Sequence, residues 1–228
     1  MIVMKDVHKK YPNGVTALNG ITVNIDKGEF VYVVGPSGAG KSTFIKLIYR
    51  EEKPTTGIVK INNINTSELK EKNVPYLRRK IGVVFQDFKL LPKLSVYENI
   101  AFALEVIEES PRNIRKRVME VLDLVDLKNK ARFLPSELSG GEQQRVSIAR
   151  AIVNKPEIVI ADEPTGNLDP ETSWEIMRVF EEISERGTTM IMATHSKEIV
   201  NKMKKRVIAI EDGIIVRDES RGDYGYEN

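Results

Sequence analysis

The sequence predicts an α/β protein built on a parallel sheet, and three observations carry that prediction. Apolar runs of strand length recur along the chain, "EFVYVV", "IGVVF", "IVIAD" and "TMIMAT", as strands buried on both faces require. Helical patterns separate them: Ile114, Val118, Leu122 and Val125 recur at spacings of 4, 4 and 3, which aligns them on one helix face. A glycine-rich stretch, "GPSGAGKST" from Gly35 to Thr43, follows the first of these strands and precedes a helix-forming run, the context in which such a loop cradles phosphate.

The opening reads as half-exposed β-structure. "IVMKDV" gives one strand. "ALNGITVNID" gives a second after a loop at Pro12-Asn13-Gly14, with Leu18, Ile21, Val23 and Ile25 mostly alternating with polar residues. "EFVYVV" is apolar on both faces and predicts a central strand. A helix is expected from Ser42 onward. Ile176, Met177, Phe180 and Ile183 mark a later helix, with Gly187 as its stop. "RVIAIEDGIIVRDE" predicts a hairpin turned at Asp212-Gly213. Residues from about 218 to 228, ending "RGDYGYEN", read as a loose tail.

The 228 residues are 41% hydrophobic and 30% charged, which fits one domain with room for an inserted lobe. Thirty-five Lys and Arg face thirty-three Asp and Glu, for a net charge of +2. That balance predicts no nucleic-acid partner. The clusters Arg78-Arg79-Lys80, Arg115-Lys116-Arg117 and Lys204-Lys205-Arg206 read as solvated faces. The chain has no cysteine, so disulfides, thiolate zinc sites and cysteine nucleophiles are excluded. The charged, alternating N-terminus is not a signal peptide, and no apolar run approaches the roughly 20 residues that cross a bilayer. The expected place is the cytosol, with a membrane reached through a partner.

The spacing Gly35-x4-Gly40-Lys41-Ser42 fits the P-loop. Its glycines let backbone N–H groups turn toward phosphate oxygens, and the helix N-terminus adds partial positive charge. Lys41 is expected to reach the β- and γ-phosphates and the Ser42 hydroxyl to ligate Mg²⁺. A Mg²⁺-nucleotide also needs a carboxylate, and "IVIADE" supplies Asp162 for the metal shell and Glu163 as base for the attacking water. His195 closes "TMIMATHS", about one strand–helix–strand unit later, and is read as a γ-phosphate contact; His8 is assigned nothing. In "LSGGEQQR", Ser139 and Glu142 form a capping box, and Gly140 and Gly141 leave the first N–H groups of that helix open to an anion. A second anion site in so small a domain suits another molecule's nucleotide.

Taken together, "GPSGAGKS", Gln86 in "VVFQD", "LSGGEQQR", "IVIADE", "GNLD" and His195 resemble the ATP-binding subunits of ABC transporters, in the family's order and over nearly the whole chain. The resemblance implies a P-loop NTPase with a RecA-like parallel-sheet core, an N-terminal antiparallel β-subdomain and a helical lobe at about 87–137. It also implies a head-to-tail homodimer that holds two MgATP. Each nucleotide would lie between one subunit's loop (Gly35, Pro36, Ser37, Gly38, Ala39, Gly40, Lys41, Ser42, Thr43) and the other's Ser139, Gly140, Gly141 and Glu142. Gln86 would link Mg²⁺ and the attacking water to a membrane partner, Asp169 would organise the dimer contact, and Tyr11 would stack on adenine. Within the family, "FQDFKLLPKLSVYENIAFALEV" and "ADEPTGNLDPETSWEIM" resemble the cell-division branch, whose membrane partner is FtsX and whose output is control of peptidoglycan hydrolysis. The lipoprotein-release and macrolide-export branches share "ADEPTGNLD" and stand as the alternative. A soluble ABC protein of DNA repair or translation is disfavoured by the single nucleotide domain and the absence of a strongly basic face.

Phe88, Leu90, Leu91, Leu94 and Tyr97 fall close together around Pro92, with a spacing neither helical nor alternating. They cannot all face one interior, so part of the set is expected to line an exposed apolar groove.

Overall fold

Two sheets and a helical lobe share the chain in a computed structural model that describes residues 1–225. The strands are β1 (Ile2–Lys10), β2 (Thr16–Ile25), β3 (Phe30–Val34), β4 (Thr56–Ile61), β5 (Ile64–Asn65), β6 (Ile81–Val84), β7 (Ile158–Asp162), β8 (Thr189–Ala193), β9 (Arg206–Glu211) and β10 (Ile214–Glu219). The helices are α1 (Lys41–Ile48), α2 (Val74–Arg78), α3 (Val96–Glu105), α4 (Pro111–Leu124), α5 (Gly140–Ile152), α6 (Pro170–Glu185) and α7 (Lys197–Met203).

The larger sheet runs β10-β9-β3-β8-β7-β6. Its five strands from β9 to β6 are parallel, and β10 joins antiparallel through a turn at Asp212-Gly213. Both turn residues have positive φ, 46° and 78°, which suits the twist of a two-residue hairpin. Every residue of β3 is buried, as an interior strand with two covered faces requires. The smaller sheet, β2-β1-β4-β5, is antiparallel and alternates buried with exposed positions along β2.

Parallel register places the site. Val33 pairs with Ala193, Asp162 with Ala193, and Val84 with Ala161. The chain therefore leaves β3, β6, β7 and β8 at one sheet edge, with β3 and β8 adjacent although far apart in sequence. Ligands of open α/β sheets bind at such an edge.

Three apolar cores hold these parts together. One lies between the sheets and contains Phe44, Leu47 and Ile48 of α1. A second joins the other sheet face to α6 through Ile176, Met177, Phe180 and Ile183. The third fills the helical lobe with Ile100, Leu104, Val118 and Leu122. Helix α5 serves two of them: Ile148 and Ile152 face the sheet, whereas Val146 and Ala149 face the lobe. The lobe's packing thus extends beyond residue 137 into α5.

The loose tail expected from 218 needs correction as far as Gly225. Asp218 and Glu219 complete β10, and Asp218 pairs with Arg206 at 2.8 Å. Tyr224 is 6% exposed, and its N–H donates to Asn201 Oδ1 at 2.6 Å. Arg217 donates to the carbonyls of Asp223 and Tyr224. One buried aromatic anchors a stretch whose overall polarity hid it from a pattern search. The remainder of the expected tail, 226–228, lies outside the described residues.

Candidate active site

The loop from Gly35 to Gly40 turns between β3 and α1 under tight backbone constraints. Gly35 has φ 144°, and a Cβ there would lie 2.0 Å from the Ile210 carbonyl oxygen. Gly40 has φ 108°, and its Cβ would fall 2.4 Å from the Ala17 oxygen. Only glycine meets both conditions. Pro36, Ser37 and Gly38 are exposed, and Ala39 and Thr43 are buried. Helix α1 begins with no side-chain cap, so its first N–H groups remain available to an anion.

Lys41 crosses this loop. Its buried amine donates to the carbonyls of Gly35 and Pro36, both at 2.9 Å, and lies 3.2 Å from His195 Nε2. Burial pulls its pKa down, and the carboxylates of Glu163 and Asp162 partly offset that pull. Asp162 ends β7 with a hydrogen bond to Ser42; burial pushes its carboxyl above the ordinary range, and the nearby Lys41 offsets part of the rise. Glu163 follows in a left-handed conformation, φ 49°. Burial raises its pKa, against the opposing pull of His195.

His195 bridges the two. Its Nε2 lies 3.2 Å from Glu163 Oε1 as well as 3.2 Å from Lys41 Nζ, and its backbone N–H donates to Glu163 Oε2 at 3.3 Å. An unprotonated Nε2 accepts from Lys41, and a protonated one donates to Glu163. The imidazole can serve only one neighbour at a time, so its tautomer selects between them. Lys41, Ser42, Asp162, Glu163 and His195 therefore meet at the sheet edge that the parallel register defines.

Gln86 is exposed and turned toward the loop after Glu163: its Nε2 donates to Asn167 Oδ1 at 3.5 Å, and Asn167 returns a bond to the Gln86 carbonyl at 3.4 Å. Tyr11 stands beside the phosphate loop, its hydroxyl 3.2 Å from Thr43 Oγ1, with the Lys9 amine 4.9 Å from its ring centre. Ser139 and Glu142 form the expected capping box of α5, and Glu142 also pairs with Lys130. Among the described residues no hydrogen bond joins 139–142 to 35–43. Asp169 caps α6, accepting from the Thr172 N–H at 3.0 Å.

The donors around Asp162 suit a hard cation. Ser42 and Asp162 offer a hydroxyl and a carboxylate, and among the described residues no cluster of three His, Cys, Asp or Glu could hold a metal. A hydroxyl beside a carboxylate is a donor pair of the hard oxygen type that Mg²⁺ takes.

Four features escaped sequence reasoning. Strand β4, "TGIVKI", was hidden by its exposure, since only Val59 and Ile61 of it are buried. Phe88 and Lys89 adopt left-handed backbone, φ 59° and 49°. Arg150 of α5 donates to both of their carbonyls, at 2.8 and 2.7 Å. Asn99, fully buried on α3, holds the carbonyls of Leu91, Leu94 and Ser95 and accepts from the Leu91 N–H. "QQRVSIARA" and "YENIAF" signal only helix, and nothing in their pattern reveals a long-range polar contact.

Comparison with known proteins agrees with this geometry. A family model described as ABC transporter matches residues 18–166. The chain is 75% identical over 225 residues to the cell division ATP-binding protein FtsE of Bacillus subtilis (strain 168), covering 99% of each chain. It is 63% identical to FtsE of Streptococcus pneumoniae (strain D39), covering 100% of this chain and 99% of that one. Among solved structures, a dimeric post-hydrolysis state of the ATP-binding cassette MJ0796 bound to ADP and Pi superposes with a TM-score of 0.87. That cassette is 40% identical, and the match covers 97% of this chain and 99% of the other. The P-loop, the paired carboxylates and the signature helix stand on the α/β core of that cassette, and the chain belongs to the ABC transporter family as one of its ATP-binding, ATP-hydrolysing subunits.

Proposed function

We propose that the chain is the ATPase of an FtsEX-type complex, hydrolysing MgATP in a head-to-tail dimer to change the conformation of the membrane protein FtsX and so control peptidoglycan hydrolysis in cell division. The meeting of Lys41, Glu163 and His195 within hydrogen-bond distance carries the chemical half of this reading. Identity to two FtsE proteins over the full chain carries the biological half and favours it over the lipoprotein-release and macrolide-export branches.

In this reading Lys41 and the N–H groups of 35–43 hold the phosphates. Ser42, Asp162 and Gln86 attend the Mg²⁺ ion, which supplies charge neutralisation on the phosphates when bound. Glu163 takes a proton from the attacking water as its oxygen bonds to the γ-phosphorus and the bond from that phosphorus to the bridging oxygen breaks, releasing ADP. A carboxyl whose pKa is raised is the better matched base. His195 holds the γ-phosphate side of the site. Ser139, Gly140, Gly141 and Glu142 close over the other subunit's nucleotide, with Asp169 at the contact. Tyr11 stacks on the base. Tyr11→Ala is expected to weaken ATP and GTP binding alike by about tenfold, from roughly 1–3 kcal/mol of lost stacking; unchanged titration curves for both would remove the residue from the pocket.

Among the described residues no helix is long and apolar enough to cross a membrane; in this reading FtsX holds the subunit at the cytoplasmic face. Phe88, Leu90, Leu91, Leu94 and Tyr97 are each half-buried, and none is sealed in a core. Leu90 and Tyr97 lean on the lobe core, which leaves Phe88, Leu91 and Leu94 as the apolar surface for a cytosolic helix of FtsX. Leu91→Glu is expected to abolish co-purification with FtsX while MgATP affinity and the melting temperature stay near those of the parent. A folded variant that still captures FtsX would place the docking site elsewhere.

A further inference from the structure

Helix α5 reaches two loops of the site through two polar side chains, Gln144 fully buried and Arg150 half-buried, that the reaction does not consume. Near its start Gln144 is fully buried, and its Nε2 donates to the Pro164 carbonyl at 2.7 Å, one residue beyond Glu163. The Gln144 Oε1 has no partner among the described residues. An orphaned buried acceptor is costly, and a leucine would pack there without it, so the amide's one visible use is its hold on Pro164. Near the other end, Arg150 grips the carbonyls of Phe88 and Lys89. No carboxylate pairs with it among the described residues, and burial pulls its pKa down. A charge kept with no counter-ion is spent on two carbonyls of a left-handed turn just after Gln86.

Along its length α5 is held on two sides. Ile148 and Ile152 sit in the sheet core, and Val146 and Ala149 in the lobe core. Well-packed helices shift as units rather than bend. We propose that α5 is a rigid rod joining the loop after Gln86 to the loop after Asp162, with Arg150 and Gln144 as the positioning residues at its two joints. A displacement of Phe88 and Lys89 is thereby delivered to the Pro164 carbonyl, and so to the backbone that aims Glu163, by a route that does not pass through the Gln86 side chain. The signature residues Ser139–Glu142 begin the same helix, so the same movement reaches the half-site offered to the other subunit.

The proposal rests on the docking of FtsX at 88–94, and the test separates the two. ATP turnover is measured for the subunit alone and in complex with FtsX in nanodiscs, for the parent, Arg150→Met, Arg150→Lys, Gln144→Leu and the Arg150→Met/Gln144→Leu double variant. Arg150→Met is expected to leave FtsX bound and the KM for ATP unchanged. The FtsX-induced rise in kcat falls at least about fivefold, the lower end of ordinary coupling between sites. Arg150→Lys, which keeps one donor group, restores part of that rise. The double variant is no worse than the worse single one, because a rod freed at either joint transmits nothing. Multiplied losses in the double variant would mean independent local damage and would overturn the rod. If Gln144→Leu does not fold, full stimulation of both Arg150 variants overturns it equally. A parent that FtsX binds without stimulating overturns the docking reading, and the rod with it. Stimulation that survives every substitution overturns the rod alone.

Discussion

Glu163→Gln is expected to slow ATP hydrolysis by about 10²–10⁴-fold, the usual contribution of a positioned general base, while ATP still binds. The amide keeps the size of the side chain and can still accept the His195 N–H that now reaches Oε2 at 3.3 Å, but it cannot take a proton from water. ATP should therefore hold the dimer closed, and size-exclusion chromatography with MgATP should show it accumulating. The same change is expected to raise the melting temperature of the nucleotide-free protein at neutral pH. Burial raises the Glu163 pKa above its unfolded value, so the folded state binds the proton more tightly. The resulting penalty is absent below the unfolded pKa, grows as pH rises through the window between the two values, and is complete above the folded one. A neutral side chain carries no such penalty, so the gain over the parent should shrink as pH is lowered through that window. Near-normal turnover in the variant would take the base role from Glu163.

Lys41→Met is expected to weaken MgATP binding by roughly a hundredfold or more, since a charge-assisted hydrogen bond contributes about 1.5–3 kcal/mol and the amine serves two phosphates. The fold should tolerate the change. Lys41 now contacts two carbonyls of its own loop; Pro36 is exposed and its carbonyl can turn to water, whereas the buried Gly35 carbonyl loses a partner, so a small fall in melting temperature is expected. Methionine keeps an unbranched stem of similar length and removes the charged amine. Isothermal titration with ATP measures the loss, and thermal unfolding checks that the protein is intact. An affinity within a factor of three of the parent would mean that backbone N–H groups alone hold the phosphates.

Much of this architecture can be read from the sequence, because apolar strand runs and turn residues are local signals. β3, β7 and β8 announce themselves by continuous apolarity, and α4 and α6 by their period. The site is legible for a related reason: Asp162 ends β7, Glu163 and His195 follow β7 and β8 closely, Lys41 follows β3 across the glycine-rich loop, and parallel pairing then brings them to one edge. Long-range polar contacts are not legible. Arg150 lies 62 residues from Phe88 and Gln144 lies 20 from Pro164, and neither spacing has any period to betray it. The tail failed for the opposite reason, since one aromatic, Tyr224, outweighs a polar surround that composition counts equally.

The left-handed backbone of Glu163 has a consequence for the protein as an object of selection. Outside glycine, and to a lesser extent asparagine and aspartate, that conformation costs on the order of 1–3 kcal/mol. A random library at position 163 that is sorted only for soluble, heat-resistant protein should drift toward glycine, and every winner would be a poor ATPase. Sorting the same library for growth of dividing cells should return glutamate. The ranking of one library under the two regimes would thus run in opposite directions at a single codon, and a glutamate recovered only under the second would be owed to what the cell needs at division rather than to what the chain needs to fold.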